Sequence, residues 1–474
     1  MSTTGTPTDL ADRAARERAL LARRPRRAAR PPLLERAADG TLSTPASPAQ
    51  RLFHGLQEAY PGQPGFNQSG AARLRGPLDV PRLERALAEL IGRHEALRTV
   101  FETRDGVLHQ VVRAAEAPAV PVRDTAEADA RALAGEFVAR PFDLAAELPV
   151  RLAVLRLAAE DHIVLFALHH IVGDLHSVEI LFRELYTLHL SGLGAKEAVL
   201  AGLLDPLTAQ TADVTAWQQA ALTGPREAEL HAYWRARTAG AAAVELPSDT
   251  TRAVPPSTAG HVVVRPVPAR VAAGVKALAD AHRASEFITT LAAFAIVLAR
   301  RTGRRDLVLS TPVTRRDRQE TARLIGAHLN YVPLRVRIDG SLGFGAHLDA
   351  VRAEVTADLA HDDLPYEEIA GLAGLTTGQL FRVLFQRDED PETVFPEGEL
   401  SGELWDAPWE HALNDLTVRV SSSPAGWYLY VNHRTDVLSP ALGTAIADEF
   451  LALLGDLADD ADRRVGELLT VRAA

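Results

Sequence analysis

The stretch HIVLFALHHIVGDLHSVEILFREL, His162–Leu185, runs almost unbroken apolar residues into a double histidine, follows with an aspartate and then changes period. The run 162–168 has the composition of a central strand covered on both faces, or on one face plus a tunnel. From Ser177 onward, Val178, Leu181, Phe182 and Leu185 recur at the spacing of one helical face, with Ser177 placed to cap and Gly192 just past the end. The double histidine therefore belongs to a strand-to-helix loop. That junction argues for an α/β fold.

Outward from it the same alternation continues. AARLRG (71–76) reads as a strand, and LDVPRLERALAELIGRH as a helix with Asp79 at its cap, Pro81 in the first turn and Leu83, Leu87, Leu90 and Ile91 on one face. LHQVVR and the alternating PVRLAVLRL (149–157) add strands. A helical connection, TAWQQAALTGPREAELHAYWRARTAG, leads to a second half with strands HVVVRPV, LVLSTPV, VPLRVRI, LTVRV and WYLYV and the helix EFITTLAAFAIVLARR. The pattern predicts two α/β lobes, with no repeat that aligns between them. The expected division is a basic arm at 1–42, a first lobe at 43–220 and a second at 221–474. Residues 1–40 carry nine arginines against five acids, and RRPRR and RPP interrupt any helix there. A solvated, flexible arm is expected; the alternative is an arm that engages an acidic partner.

The chain has 474 residues, 47% hydrophobic and 24% charged, enough to bury a sizeable core. Its formal net charge of -11 argues against nucleic acid as the main partner, because a phosphate backbone selects basic surfaces. The absence of cysteine removes disulfide scaffolds, thiol nucleophiles and thiolate metal sites, and fits a reducing cytoplasm. The N-terminal sequence has no apolar core of signal-peptide length, and no uncharged apolar run is long enough to span a bilayer. A cytoplasmic protein without membrane contact is expected.

Three chemistries compete for the double histidine. His169, His170, Asp174 and His176 are all potential metal ligands, but adjacent residues on extended chain point to opposite sides, which sets His169 and His170 apart. Two core histidines satisfied by hydrogen bonds are a second reading. The third is acyl transfer, in which one imidazole takes a proton from an amine or hydroxyl attacking a thioester while its neighbour anchors the loop. A buried Asp174 would then need a cation from elsewhere in the chain.

HHIVGD resembles the HHxxxDG signature of the condensation domains of nonribosomal peptide synthetases, in the chloramphenicol acetyltransferase superfamily. Family-like segments occur in the expected order: SPAQRLF (47–53), RHEALRTVF (93–101), STPVTRRDRQE (310–320), LIGAHLNYVPLRV (324–336), HDDLPYEEI (361–369) and QLFRVLF (379–385). The resemblance covers roughly residues 43–465. It implies two chloramphenicol-acetyltransferase-like lobes in a V-shaped pseudo-dimer, with a tunnel active site between them.

By this match His170 is the catalytic histidine, with His169, Asp174 and Arg316 in support, Asp174 and Arg316 as an ion pair. Leu175, Ser177, His328 and Asn330 are the implied tunnel-lining candidates. No metal and no bound cofactor is implied, since the substrate rides on the phosphopantetheine arm of an acyl or peptidyl carrier protein. The acceptor is a small molecule or a second carrier-bound group. A freestanding monomer served by a carrier in trans is expected. The implied activity is an acyltransferase that joins a carrier-bound acyl thioester to an amine or hydroxyl, forming an amide or ester in natural-product biosynthesis. Alternatives are a non-catalytic recruitment platform and an epimerisation-type domain. Two departures stand out: Leu175 replaces the signature glycine and Ala327-His328 replaces the phenylalanine pair of GFFVN. A leucine disfavours positive φ, which puts the tunnel's shape in question.

Overall fold

The computed structural model describes residues 33–116, 118–254, 257–316, 318–389, 400–406 and 410–470. Most of the basic arm, residues 1–32, lies outside them. Strands are numbered along the chain. A small sheet joins β1 (Leu42–Pro45), β4 (Val107–Val112) and β3 (Thr99–Arg104). The first lobe is built on a five-stranded sheet in the order β12 (Ser401–Trp405), β2 (Asn67–Arg75), β7 (Asp161–His169), β6 (Val150–Ala158), β5 (Val122–Asp124).

β7 is the middle strand of that sheet, which is why its sequence is apolar on both faces. Val164, Phe166 and Leu168 enter the main core of the first lobe, whereas Ile163 and Leu165 pack with Ala130 and Ala134 of the helix Glu127–Ala139. Opposite Phe166, Gly70 leaves room for the phenyl ring, which a Cβ there would strike. The strand pairs antiparallel with β2 and β6, and Asn67 stands across from His169.

The second lobe carries six strands in the order β10 (Leu329–Arg337), β9 (Asp306–Thr314), β11 (Val383–Glu389), β13 (Leu416–Ser423), β14 (Gly426–Arg434), β8 (Gly260–Val267). The helix Glu286–Thr302 crosses the middle of its core, buried without interruption from Ile288 to Ala299, as its all-round apolar sequence requires. No single helix among the described residues is long and apolar enough to cross a membrane.

Each lobe has its own core, but the chain does not divide cleanly between them. Val308, Ile325, Tyr331, Tyr366 and Phe381 from the second half belong to the first lobe's core, and β12 completes its sheet by pairing with β2. Some local expectations change. The strand containing AARLRG begins at Asn67, because β7 supplies partners for its polar start. The helical connection is two helices, Thr211–Ala221 and Pro225–Thr238, broken at Gly224 with φ 68°. Arg36, within the expected arm, is held by Glu95 at 2.9 Å and Asp213 at 2.8 Å, so the arm's described end is docked.

Candidate active site

β7 ends at His169, a short 3-10 turn spans His170–Val172, and the helix Leu175–Ser191 begins at once behind its cap, Asp174. The cap is thus Asp174 and not Ser177, the residue that the sequence pattern favours. Its carboxylate accepts from Ser177 N at 2.8 Å and so satisfies a free amide of the first turn.

The two histidines diverge as extended geometry demands. His169 is 1% exposed, with Phe66 and Phe142 around its ring at 6.1 and 6.0 Å between centroids. Its Nδ1 accepts from Ile171 N at 3.1 Å, which places the proton of the neutral ring on Nε2. Burial, reinforced by the neighbouring His170 and Arg151, pushes its pKa down to about 3. His169 is therefore a neutral anchor for the turn.

His170 is part-exposed and lies on the other side. Its ring stacks on Phe53 at 4.1 Å between centroids and 21° between planes. Nδ1 donates to the carbonyl oxygen of Gly173 at 2.8 Å, and the backbone amide donates to Phe66 O at 2.8 Å. With the proton committed to Nδ1, Nε2 presents its lone pair. Burial lowers the pKa, while the Gly173 carbonyl partly offsets it. The imidazole is thus a neutral base held by a carbonyl and an aromatic face.

Asp174 meets its cation from the other lobe. Arg316 Nη2 lies 2.8 Å from Oδ1 and Nε 3.0 Å from Oδ2, both side chains about nine-tenths buried. Burial works to raise the carboxyl pKa, but the Arg316 charge and its hydrogen bonds win, and it lies below the usual range. The same guanidinium donates to the carbonyls of Thr321 and Leu324, folding the β9–β10 connection around itself. Ser177, 0% exposed, donates its hydroxyl to Asp174 Oδ1 at 2.8 Å and accepts from Arg316 at 2.9 Å and from Gly326 N at 3.1 Å. Ser177 is part of this junction.

The other candidates separate. His328 is 3% exposed beside Thr211, with Nε2 3.3 Å from its hydroxyl, and burial pushes its pKa down to about 3. Its ring is held in the interior against Thr211. Asn330 Nδ2 donates to Asp362 O at 2.9 Å and Leu364 O at 2.8 Å, bracing a loop of the second lobe. Leu175, 46% exposed, is the first residue of its helix and is not among the residues with positive φ, so a leucine sits there without backbone strain. His176 spends Nε2 on Ala322 O at 3.1 Å. Among the described residues no cluster of three or more His, Cys, Asp or Glu could hold a metal ion.

Three contributors went unread in the sequence. Phe53, inside SPAQRLF, supplies the face on which His170 rests, and Tyr331 meets Phe53 edge-on at 6.4 Å. His94, inside RHEALRTVF, is fully buried with Nε2 2.8 Å from Glu184, and its Nδ1 accepts weakly from Ile325 N at 3.4 Å. The quoted motifs were the available signal for Phe53 and His94.

Comparison with known proteins agrees with this geometry. The condensation-domain family matches residues 42–474. A linear gramicidin synthase of Brevibacillus parabrevis is 34% identical over 427 residues, covering 86% of this chain and 5% of that protein. Phosphinothricin tripeptide synthetase PhsC of Streptomyces viridochromogenes is 33% identical over 465 residues, covering 94% of this chain and 42% of that protein. The chain thus spans under half the length of either relative. The X-domain from teicoplanin biosynthesis superposes with a TM-score of 0.82 at 25% identity, covering 92% of this chain and 99% of that one, and it has also been solved in complex with OxyB. The fold is that of two chloramphenicol-acetyltransferase-like lobes, shared with solved condensation domains. By sequence and by fold alike, the chain belongs to the condensation-domain family of nonribosomal peptide synthetases.

Proposed function

We propose that this chain is a condensation-type acyltransferase that joins an acyl thioester, presented on the phosphopantetheine arm of a carrier protein in trans, to an amine or hydroxyl acceptor. The observation that carries the reading is the tautomer of His170. Its Nδ1–H is fixed on Gly173 O, leaving Nε2 to accept a proton. As the acceptor attacks the thioester carbonyl, the new C–N or C–O bond forms and the nucleophile's proton passes to Nε2. When the tetrahedral species collapses, the C–S bond breaks and that proton can leave with the thiol. Asp174 is too occupied with Arg316 and Ser177 to share this work; its role in the reading is to hold the turn and join the lobes.

The test loads candidate carriers with acyl groups, adds a panel of amines and alcohols, and follows product by mass spectrometry. Product formation that depends on His170 supports the reading; none across the panel counts against it. A second reading, a recruitment platform, draws on the likeness to the X-domain that was solved with OxyB. It predicts partner binding that survives His170→Ala and no product in either protein.

A further inference from the structure

Several tyrosines of this chain commit their hydroxyls to protein partners. Tyr366 lies 2.6 Å from Ser310 Oγ, Tyr186 donates to Leu400 O at 3.0 Å, Tyr233 donates to Asp358 at 2.6 Å and Tyr60 accepts from Arg434 at 2.6 Å. Tyr331 is 4% exposed, yet its hydroxyl makes no hydrogen bond to any described residue. Its oxygen is nevertheless not among the fully enclosed unpaired polar atoms, so the hydroxyl borders space that a ligand atom can reach.

Its place is the seam beside His170. Tyr331 stands opposite Pro312 on the second lobe's sheet but belongs to the first lobe's core. Its ring meets Phe53 at 6.4 Å and 74°, and Phe53 is the ring on which His170 stacks. Phe381 at 4.7 Å and Tyr366 at 5.8 Å, both edge-to-face, also pack against the ring. Burial raises its pKa, so the group remains a neutral donor. Two polar atoms without a partner among the described residues, His170 Nε2 and Tyr331 Oη, thus belong to rings that touch the same phenylalanine from opposite lobes.

We propose that Tyr331 is a specificity-determining residue whose hydroxyl donates a hydrogen bond to a substrate oxygen, a carbonyl or hydroxyl near the reacting carbon. The inference rests on the seam being the condensation site. That oxygen belongs to the acyl donor or to the acceptor, and matched analogues distinguish the two. A site built to hydrogen-bond an oxygen rejects the analogue that lacks it, because the donor is then stranded.

The experiment measures, by calorimetry on the full chain, the affinity of two pairs of unreactive analogues. One pair consists of pantetheine thioethers with and without an oxygen near the sulfur, the other of acceptor ethers with and without the corresponding oxygen. Wild-type protein should favour the oxygenated member of one pair by roughly tenfold or more. Tyr331→Phe should erase that preference, leave the oxygen-free analogue's affinity within twofold and keep the melting temperature. A wild-type protein with no preference in either pair, or a preference that persists in Tyr331→Phe, overturns the inference. Binding is read without turnover, so discrimination without product would defeat the condensation reading alone. Product formation with the same preference in both proteins would defeat the tyrosine assignment alone.

Discussion

His169 and His170 share a peptide bond and little else. His169 faces Phe66 and Phe142, is 1% exposed and gives Nδ1 to the amide of Ile171. His170 faces Phe53 at the seam, gives its Nδ1 proton to Gly173 and has no partner for Nε2 among the described residues. Burial lowers the pKa of both, so neither carries charge at neutral pH. What separates an anchor from a base is therefore the part that the surroundings give to the same nitrogen, Nδ1. In His169 the committed nitrogen is an acceptor; in His170 it is a donor.

The strongest way to break the comparison is to delete each ring in turn. His170→Ala should lower condensation by ~10²–10⁴ with the melting temperature nearly unchanged. Alcohols should suffer more than amines, since a hydroxyl must lose its proton during attack. Wild-type turnover in that variant would remove His170 from catalysis.

Asp174→Ala should disturb both histidines together by stranding Arg316, at roughly 3–5 kcal/mol of stability for a buried pair. Denaturant unfolding of the single variants and of Asp174→Ala/Arg316→Met measures the coupling, and additive losses would show that the two charges act independently.

His169→Phe should cost ~1–3 kcal/mol, because the buried Ile171 amide loses its acceptor, with a smaller effect on rate than His170→Ala. Its pH signature sharpens the contrast. His169 titrates near 6.5 when unfolded and at about 3 when folded, so the unfolded state binds more protons between those values. Its contribution is fully present above pH 6.5 and is lost as pH falls toward about 3. Removing the ring should flatten the acid limb of stability against pH by up to about 1.4 kcal/mol per pH unit. An unchanged slope would mean that His169 is not buried neutral.

The smallest effect belongs to Leu175→Gly. An exposed first-turn residue should cost about 1 kcal/mol or less, and the rank order of rates across acyl groups of increasing bulk should hold. A reordered series would place Leu175 at the tunnel wall.

What the sequence disclosed follows a physical pattern. β7, the helix Val80–Arg93 with its Asp79 cap and the alternating β6 were legible because period and capping chemistry are local. Arg316 was legible only through family resemblance, since nothing within reach of position 316 announces a carboxylate in the other lobe. The cap passed from Ser177 to Asp174 because both are good caps and only the turn's geometry chooses between them. The stacking of Phe53 on His170 joins distant segments of the first lobe, and the contact of Tyr331 with Phe53 joins the two lobes; neither leaves a period in the sequence.

The strand Ser401–Trp405 has a consequence in time. It closes the open edge of β2, and Ser401 bonds Arg75 across 326 residues of chain. At synthesis rates of about 5–20 residues per second, that separation corresponds to roughly tens of seconds during which the nascent first lobe shows an unpaired strand edge. An exposed edge is a template for pairing with other chains. The first lobe thus waits on the second to seal it, and yield on expression should depend on how quickly the ribosome reaches residue 405.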